Sequence, residues 1–229
     1  MKNKKDICFV LLPGFSPDSF PVAGIKKSLN SLGYDAVVSN FYGQKEINNF
    51  SLLTMDEAIE NISQIINSIS DQYSRVFGIG ISLGGALFIE HAKNYANLDG
   101  IVSVGTPFCL RKKKLIAVGQ FFFPLIYFFW KRLQKIKKLR LLPLGASDQV
   151  IRYLEGGFLK NLDTIDTPIL FLHSRKDGVA DYSALEKYVP KISSEKKEVI
   201  YFKNGNHVVN DNPELIVQHA LNFFELTKN

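Results

Sequence analysis

Cysteine is scarce in this chain, and its scarcity excludes a fold built on disulfides. Only Cys8 and Cys109 occur among the 229 residues, one inside an apolar run and the other beside a basic segment. Two cysteines so placed give no disulfide framework, which is typical of a reducing compartment. The apolar run Ile7–Leu12 that follows the basic N-terminus is too short for a signal peptide and ends at Pro13-Gly14. We therefore expect a cytoplasmic protein.

Acidic residues are absent from one segment, which holds much of the positive charge. Between Arg111 and Arg140 there are ten Lys or Arg residues and no Asp or Glu. Removing those ten from 28 basic residues leaves 18 against 22 acidic ones, so the rest of the chain is mildly acidic. The net charge of +6 thus belongs to one segment, and the sequence does not predict nucleic-acid binding.

The chain also lacks internal repeats, low-complexity tracts and linker-like stretches, so we expect a single domain over residues 1–229. Short apolar runs alternate with segments of helical period, which predicts an α/β fold with a mainly parallel open sheet and helices on both faces. The six predicted strands are Ile7–Leu12, Asp35–Ser39, Val76–Ile81, Gly100–Val104, Pro168–His173 and Lys197–Phe202.

Capping residues mark the starts of two predicted helices, in addition to the helical spacing of their apolar residues. Thr54 precedes Glu57 by three residues and predicts a capping box, and Asn212 followed by Pro213 predicts the start of the last helix. Further helices are predicted over Val22–Leu32, Leu83–Asn94 and Tyr182–Val189.

The alternation of strand-like and helix-like segments stops between about 107 and 162, which indicates an insertion. This segment carries the basic cluster and an apolar run, LIAVGQFFFPLIYFFW. A transmembrane helix is one interpretation, but the run is slightly short, contains Gln120 and Pro124, and lies between segments that must share one sheet. An apolar helical lid is the preferred interpretation, and core packing is a further alternative.

The aromatic side chains of this insertion are candidates for substrate binding. Phe121, Phe122, Phe123, Phe128 and Trp130 are expected to line an acyl pocket. The flanking lysines and arginines fit either a peripheral contact with an anionic membrane or a solvated rim that keeps an apolar lid soluble.

A nucleophile is indicated by the sequence Gly80-Ile81-Ser82-Leu83-Gly84, which has the form G-x-S-x-G. The apolar strand RVFGIGI ends at the serine and a helical segment begins directly after it, which is the context that this motif requires. So sharp a strand-to-helix turn leaves no room for side chains at Gly80, Gly84 and Gly85. Ser82 is the candidate nucleophile, and a serine in an unreactive tight turn is the alternative.

A serine hydroxyl needs a base, and His207 is the best placed of the four histidines. It follows the last strand in Gly205-Asn206-His207 and precedes the last helix. His91 and His219 lie inside helices, which favours structural or solvated roles. His173 closes a strand and is the only rival, but it precedes the acid that a base would need.

The acid that orients the base is expected after the strand PILFLH. Asp177 is placed for this role, where its carboxylate would hold the imidazole tautomer and stabilise the imidazolium. Asp181 is the competitor, but it directly precedes a helical segment and better suits an N-cap. The order Ser, Asp, His is the one expected when the nucleophile stands in a G-x-S-x-G turn of a parallel α/β sheet.

An oxyanion site is expected at the turn Leu12-Pro13-Gly14-Phe15 after the first strand. Its donors would be the backbone N–H groups of Phe15 and Leu83, and Phe15 would also contact the substrate. A simple connecting turn is the alternative interpretation.

Together these motifs resemble the α/β-hydrolase superfamily, in particular small bacterial carboxylesterases and monoacylglycerol lipases. The resemblance runs in family order through LLPGF, GISLGG, HSRKDGVAD and GNHVVNDN, and is loosest in the insertion. It implies hydrolysis of an ester or lipid without cofactor or metal, by Ser82, Asp177 and His207. The family usually has histidine where Pro13 stands, before the glycine of the oxyanion turn.

Two alternative functions remain open at this point. A thioesterase or acyltransferase would use the same three residues, and the phosphates of acyl-CoA would suit a basic lid. A binding protein that retains the fold without its chemistry is the other alternative, which Pro13 favours and the three intact candidate residues oppose.

Overall fold

The computed structural model describes residues 5–14, 20–39, 54–111, 150–154, 156–207 and 212–226. Its strands are β1 Lys5–Leu12, β2 Asp35–Val38, β3 Tyr73–Ile81, β4 Gly100–Val104, β5 Ile169–Ser174 and β6 Lys197–Phe202. They form one sheet in the order β2-β1-β3-β4-β5-β6, and every neighbouring pair is parallel. All six predicted strands are present, and β3 begins at Tyr73 rather than Val76.

Five α-helices begin and end close to the predicted positions, and residues 150–154 are also helical. They are α1 Phe20–Ser31, α2 Met55–Ser70, α3 Leu83–Ala92, α4 Ser183–Tyr188 and α5 Pro213–Phe223. The capping box is present, since the Thr54 side chain accepts from the Glu57 N–H and the Glu57 side chain accepts from the Thr54 N–H. The Asn212 side chain accepts from the Leu215 N–H at the start of α5. Local sequence chemistry therefore fixes these two starts.

Helices cover both faces of the sheet, and each covered face is a hydrophobic cluster. One cluster joins α2, α3 and α4 to strand residues such as Val10 and Phe171. The other joins α1 and α5 to strand residues whose side chains lie on the opposite face of the sheet, such as Phe9 and Leu170. Because both faces are covered, the central strands are apolar throughout rather than alternating. The predicted α/β architecture is confirmed.

Strand order predicts where a ligand would bind at the carboxyl end of the sheet. β1 pairs with β2 on one side and with β3 on the other, so the chain changes direction across the sheet at the boundary between β1 and β3. In open parallel sheets, ligands bind outside the carboxyl ends of the strands at such a switch point. Pro13 and Gly14 follow β1, and Ser82 follows β3.

Most of the predicted insertion lies outside the described residues, including its apolar run and five candidate aromatic residues, Phe121, Phe122, Phe123, Phe128 and Trp130. Within the part of the chain that the structure describes, no helix is long and apolar enough to cross a bilayer. The first residues of the insertion are described, and they are fixed to the core. Leu110 forms an antiparallel bridge with Ala180, and the Arg111 N–H donates to the Val179 carbonyl at 2.8 Å.

Candidate active site

Ser82 stands in a strained turn between β3 and α3. Its backbone has φ 52° and ψ −114°, and a positive φ is uncommon for a residue with a Cβ. The turn is held because the Ser82 N–H donates to the Val104 carbonyl at 2.7 Å, while the Ser82 carbonyl accepts from the Gly85 and Ala86 N–H groups. These hydrogen bonds hold the strained turn in place and so keep Ser82 at the carboxyl edge of the sheet.

Glycines around Ser82 are required by close backbone approach, as the crowding argument predicts. A Cβ at Gly80 would lie 2.4 Å from the Gly84 carbonyl carbon, and one at Gly84 would lie 2.6 Å from the Leu12 carbonyl oxygen. A Cβ at Gly85 would lie 2.0 Å from Thr106 Oγ1. None of these positions accepts a larger residue without movement of its neighbours.

His207 and Asp177 complete a chain of hydrogen bonds that starts at the Ser82 hydroxyl. His207 Nε2 lies 2.9 Å from Ser82 Oγ, and His207 Nδ1 lies 2.7 Å from Asp177 Oδ2. Both distances are within the range for proton transfer through hydrogen bonds. An ionised carboxylate can only accept, so we assign the proton of neutral His207 to Nδ1, which leaves Nε2 free to accept from the serine hydroxyl.

Asp177 is fully buried, with 0% of its surface exposed, and its environment keeps it ionised. Oδ1 accepts from the N–H groups of Val179 at 2.7 Å and Ala180 at 2.9 Å. Burial alone raises the pKa of the carboxyl, but the imidazoles of His173 and His207 and the Ala180 N–H together hold the pKa of Asp177 well below its ordinary value of 3.8. A carboxylate is therefore present at neutral pH to orient His207.

The loop that carries His207 is tied to two neighbouring strand ends. Ser174 Oγ donates to the Gly205 carbonyl at 2.8 Å, which links the ends of β5 and β6. Beyond β4, Gly105 has a φ of +59°, and a Cβ there would lie 2.2 Å from the His207 carbonyl oxygen. The backbone of His207 thus packs directly on Gly105.

Only part of the predicted oxyanion site falls within the described residues. Leu83 is the first residue of α3 and is buried, and the N–H of a first helical residue has no acceptor within its helix. Gly14 lies beside the serine, since a Cβ on it would be 3.3 Å from Ser82 Cβ. Phe15 lies outside the described residues. Its predicted role as an oxyanion donor and substrate contact stays a prediction.

Two hydroxyl residues behind Ser82 were not identified from the sequence. Thr106 Oγ1 donates to the Ser82 carbonyl at 3.2 Å and accepts from Ser103 Oγ at 2.7 Å. Both side chains are buried, and Thr106 fills the space that Gly85 leaves open. The available signal was a Gly-Thr pair directly after a buried strand, at the same sheet edge as the nucleophile.

The other histidines have separate environments. His91 is buried and contacts Ser63 Oγ at 2.9 Å and Asn97 Oδ1 at 2.7 Å, which fits a structural role. The His219 ring packs edge-on against Phe202. His173 is not remote from the site: its Nε2 lies 3.3 Å from Asp177 Oδ2.

Asp181, the alternative candidate for the acid, accepts hydrogen bonds at the start of α4. Its Oδ1 accepts from the N–H of Ser183 at 3.1 Å and from the Ser183 hydroxyl at 2.9 Å. The formal N-cap residue is Tyr182, one position after the expected cap. Among the described residues, Asp177 is the carboxylate that contacts His207.

A cavity of about 320 Å³ lies at the base of the insertion. Its apolar lining includes Phe108, Leu110, Leu154, Leu159 and Tyr188. The Asp181 N–H donates to the Cys109 carbonyl at 2.8 Å, so the wall of this cavity is hydrogen-bonded to the segment that follows Asp177. Among the residues that the structure describes, no group of three or more metal-ligating side chains comes together.

No protein-family model and no curated protein sequence matches the chain, but its fold has close structural relatives. One of two metagenome-derived lipolytic enzymes, LipS and LipT, matches 98% of this chain and 95% of its own at TM-score 0.76 and 17% identity. A soluble variant of the Saccharomyces cerevisiae monoglyceride lipase, in complex with a substrate analogue, matches over 100% and 89% at TM-score 0.74 and 12% identity.

A third structural relative is named for a different activity. A bromoperoxidase from Bacillus anthracis matches 97% of this chain and 93% of its own at TM-score 0.69 and 14% identity. These three relatives are all α/β-hydrolase fold members, so the resemblance predicted from the sequence is confirmed at the level of the fold. Because one fold supports several activities, the fold alone does not determine the chemistry of this site.

Proposed function

We propose that this protein is a serine hydrolase that cleaves carboxylic esters with a hydrophobic acyl group. The observation that carries the proposal is the continuous hydrogen-bonded chain from Ser82 through His207 to the buried Asp177, with distances of 2.9 and 2.7 Å. That relation is what general-base activation of a serine requires. Two structural relatives, a lipolytic enzyme and a monoglyceride lipase, favour the same class.

In the proposed reaction, His207 Nε2 takes the proton of the Ser82 hydroxyl as Oγ attacks the ester carbonyl carbon. The carbonyl oxygen gains negative charge beside the N-terminus of α3, where the N–H of Leu83 and, by prediction, that of Phe15 would stabilise it. Collapse of the tetrahedral intermediate breaks the bond to the alkoxy group, which takes the proton from His207. Water then hydrolyses the acyl-serine by the same sequence of proton transfers.

Asp177 has a defined part in both steps. Its carboxylate accepts from Nδ1 and stabilises the imidazolium that forms when Ser82 loses its proton. Because its pKa is held below the ordinary range, Asp177 remains a carboxylate while His207 gains and loses its proton. His207 is 23% exposed at its side chain, so water can reach it for the second step.

The hydrophobic acyl group is proposed from the cavity at the base of the insertion, whose lining is mainly apolar but includes Asp181 and Lys187 and does not include Ser82. A volume of about 320 Å³ lies at the low end of the range of roughly 300–1,000 Å³ that small-molecule sites occupy. This favours short to medium acyl chains. The basic residues between Arg111 and Arg140, most of them outside the described residues, are proposed to bring the protein to anionic lipid surfaces.

A series of p-nitrophenyl esters of graded chain length tests the proposal. The wild-type protein should hydrolyse them and should be labelled at Ser82 by a fluorophosphonate, whereas Ser82→Ala should lose both properties. Ser63→Ala, at a buried serine on α2 that contacts His91, is the matched control and should retain both. Hydrolysis that survives in Ser82→Ala would refute the assignment.

The same protein preparation distinguishes esters from thioesters. Turnover of a medium-chain acyl-CoA is compared with that of the glycerol ester of the same acid. We expect the glycerol ester to have the higher kcat/KM. A clear preference for acyl-CoA would replace the proposed substrate class by a thioester, and a folded protein that neither labels nor hydrolyses would be a binding protein.

A further inference from the structure

A second imidazole approaches the same carboxylate oxygen as His207. His173 Nε2 lies 3.3 Å from Asp177 Oδ2, the atom that His207 Nδ1 contacts at 2.7 Å. His173 is only 1% exposed. Its Nε2 is buried, and the longer contact lacks the alignment of a full hydrogen bond, so this nitrogen has no hydrogen-bond partner among the described residues. A buried polar atom without a partner is unfavourable and requires an explanation.

We propose that His173 is a positioning residue, whose Nε2–H makes a second, weaker contact with Asp177 and so sets how strongly Asp177 supports the positive charge on His207. The inference rests on the proposed function, because it concerns the acid of the same site. His173 does not touch the substrate or Ser82 in this role. It acts only through the carboxylate.

The polarity of the contact follows from the acceptor. An ionised carboxylate offers only lone pairs at Oδ2, so a facing nitrogen stabilises the contact only when it carries a hydrogen. A bare Nε2 would place two lone pairs against each other in a buried region, where repulsion is weakly screened. The resting protein therefore has the Nε2–H tautomer of His173.

Sharing one oxygen between two donors has a direct consequence for the base. His173 and His207 divide the negative charge of Oδ2, so each weakens the other's interaction with it. Loss of the His173 donor leaves more of that charge to His207 and raises the pKa of the His207 imidazole. It also removes a contact that limits rotation of the Asp177 carboxylate, which lowers the rate of proton transfer.

Other titratable groups lie near His173, and they act through its neighbour Tyr201. Tyr201 on β6 is the partner of His173 in the sheet register, and the Arg175 guanidinium lies over the Tyr201 ring at 5.0 Å. Glu186 on α4 and Tyr182 also act electrostatically on Tyr201. Neither β4, with the sequence GIVSV, nor the first turn of α3 carries a charged side chain. Among the described residues, Asp177 is the charged side chain in contact with His173 Nε2.

Two variants at position 173 and one control test the role. His173→Leu removes the donor, and His173→Gln keeps an N–H donor on a flexible side chain. His91→Leu is the matched control, because His91 is also fully buried but lies on α3, where it contacts Ser63 of α2. The measurements are the pH profile of kcat/KM on a p-nitrophenyl ester, the thermal midpoint, and the NMR titration of the His207 ring.

In His173→Leu we expect the acid-side midpoint of kcat/KM and the NMR pKa of His207 to rise by roughly half a unit, because the contact that is lost is weaker than a full hydrogen bond. kcat should fall roughly tenfold. His173→Gln should restore most of both values. His91→Leu should lower the thermal midpoint without moving the pH midpoint.

An unmoved His207 pKa in folded His173→Leu would overturn the proposal even if the rate fell, because a purely structural residue gives that result. If the leucine variant does not fold, the wild-type protein still decides: long-range 1H–15N spectra must show His173 protonated at Nε2, and a Nδ1–H tautomer overturns the proposal. The NMR measurements need no substrate, so their outcome is separate from the failure of ester hydrolysis.

Discussion

The carbonyl oxygen of His207 occupies the space where a side chain on residue 105 would begin. A Cβ built on Gly105 lies 2.2 Å from that oxygen, and Gly105 has a φ of +59°. The position of the candidate base therefore depends on a glycine in a different loop, more than one hundred residues earlier in the chain. This contact couples the turn after β4 to the geometry of the Ser82–His207 pair.

Gly105→Ala should move His207 and impair activity more than stability. The added methyl group cannot fit without a shift of the His207 backbone, and a displacement of about 1 Å costs on the order of a hundredfold in rate. Strain at positive φ adds roughly 1–2 kcal/mol to the free energy of the folded state. The measurements are kcat/KM on a p-nitrophenyl ester and urea unfolding.

Gly33→Ala is the matched control for this variant. Gly33 also has a positive φ, +85°, but nothing lies within 4 Å of a Cβ built on it. It should lose a similar amount of stability while keeping the wild-type rate. An equal loss of rate in the two alanine variants would show that strain, rather than contact with His207, limits activity.

Asp177→Asn should lower kcat/KM by roughly four orders of magnitude, because the amide N–H₂ group favours the wrong tautomer of His207. The imidazole would then present an N–H to Ser82 and could not take its proton. Asp181→Asn is the control, since Asp181 contacts Ser183 at the start of α4. A large loss in Asp181→Asn with little loss in Asp177→Asn would reverse the assignment of the acid.

Asp177 should also contribute a pH-dependent part of the stability. Its folded-state pKa lies below the ordinary value of 3.8, so the unfolded chain takes up the proton first as pH falls. The contribution is therefore fully present above about pH 5 and declines as pH falls through 4 toward the folded-state pKa. Urea unfolding at pH 7 and pH 3.5 measures the difference between wild type and Asp177→Asn. We expect that difference to shrink at pH 3.5, and a constant or larger difference would contradict the lowered pKa.

Ser82, Asp177 and His207 could be selected from the sequence because each follows a strand of a parallel sheet. The carboxyl ends of such strands meet at one edge, so three residues far apart in the chain converge. Their order and local motifs then distinguished them from His91, His219 and Asp181. This selection required no knowledge of side-chain conformation, and the structure brings the three together.

The supporting contacts could not be predicted in the same way. Thr106 supports the turn only because Gly85 leaves room for its hydroxyl, and His173 reaches Asp177 only because β5 ends at the required position. Such contacts depend on strand register and rotamers, which hydrophobic period does not determine.

Thr106 and Ser103 should act as one unit in stabilising the turn at Ser82. Thr106→Val keeps the shape but removes the hydrogen bond to the Ser82 carbonyl and the acceptor of Ser103 Oγ. Leaving a buried hydroxyl unpaired costs about 1–3 kcal/mol. The double variant Ser103→Ala/Thr106→Val should therefore be less destabilised than the sum of the single variants, measured by urea unfolding. Strict additivity would indicate that the two hydroxyls act independently.

The size of residue 159 should control the preferred acyl chain, if the cavity at the base of the insertion receives it. Leu159 lines this cavity of about 320 Å³ and is only partly buried, so a larger side chain can be introduced there with little damage to the core. Leu159→Trp should shift the optimum of kcat/KM toward shorter p-nitrophenyl esters, and Leu159→Ala should shift it toward longer ones. Leu159→Met conserves the volume and should keep the wild-type optimum. The loss of one methylene contact changes discrimination by roughly 10- to 200-fold, so a profile of rates against chain length resolves the shift. Identical profiles in all three variants would place the acyl chain elsewhere, in a part of the site that Leu159 does not reach.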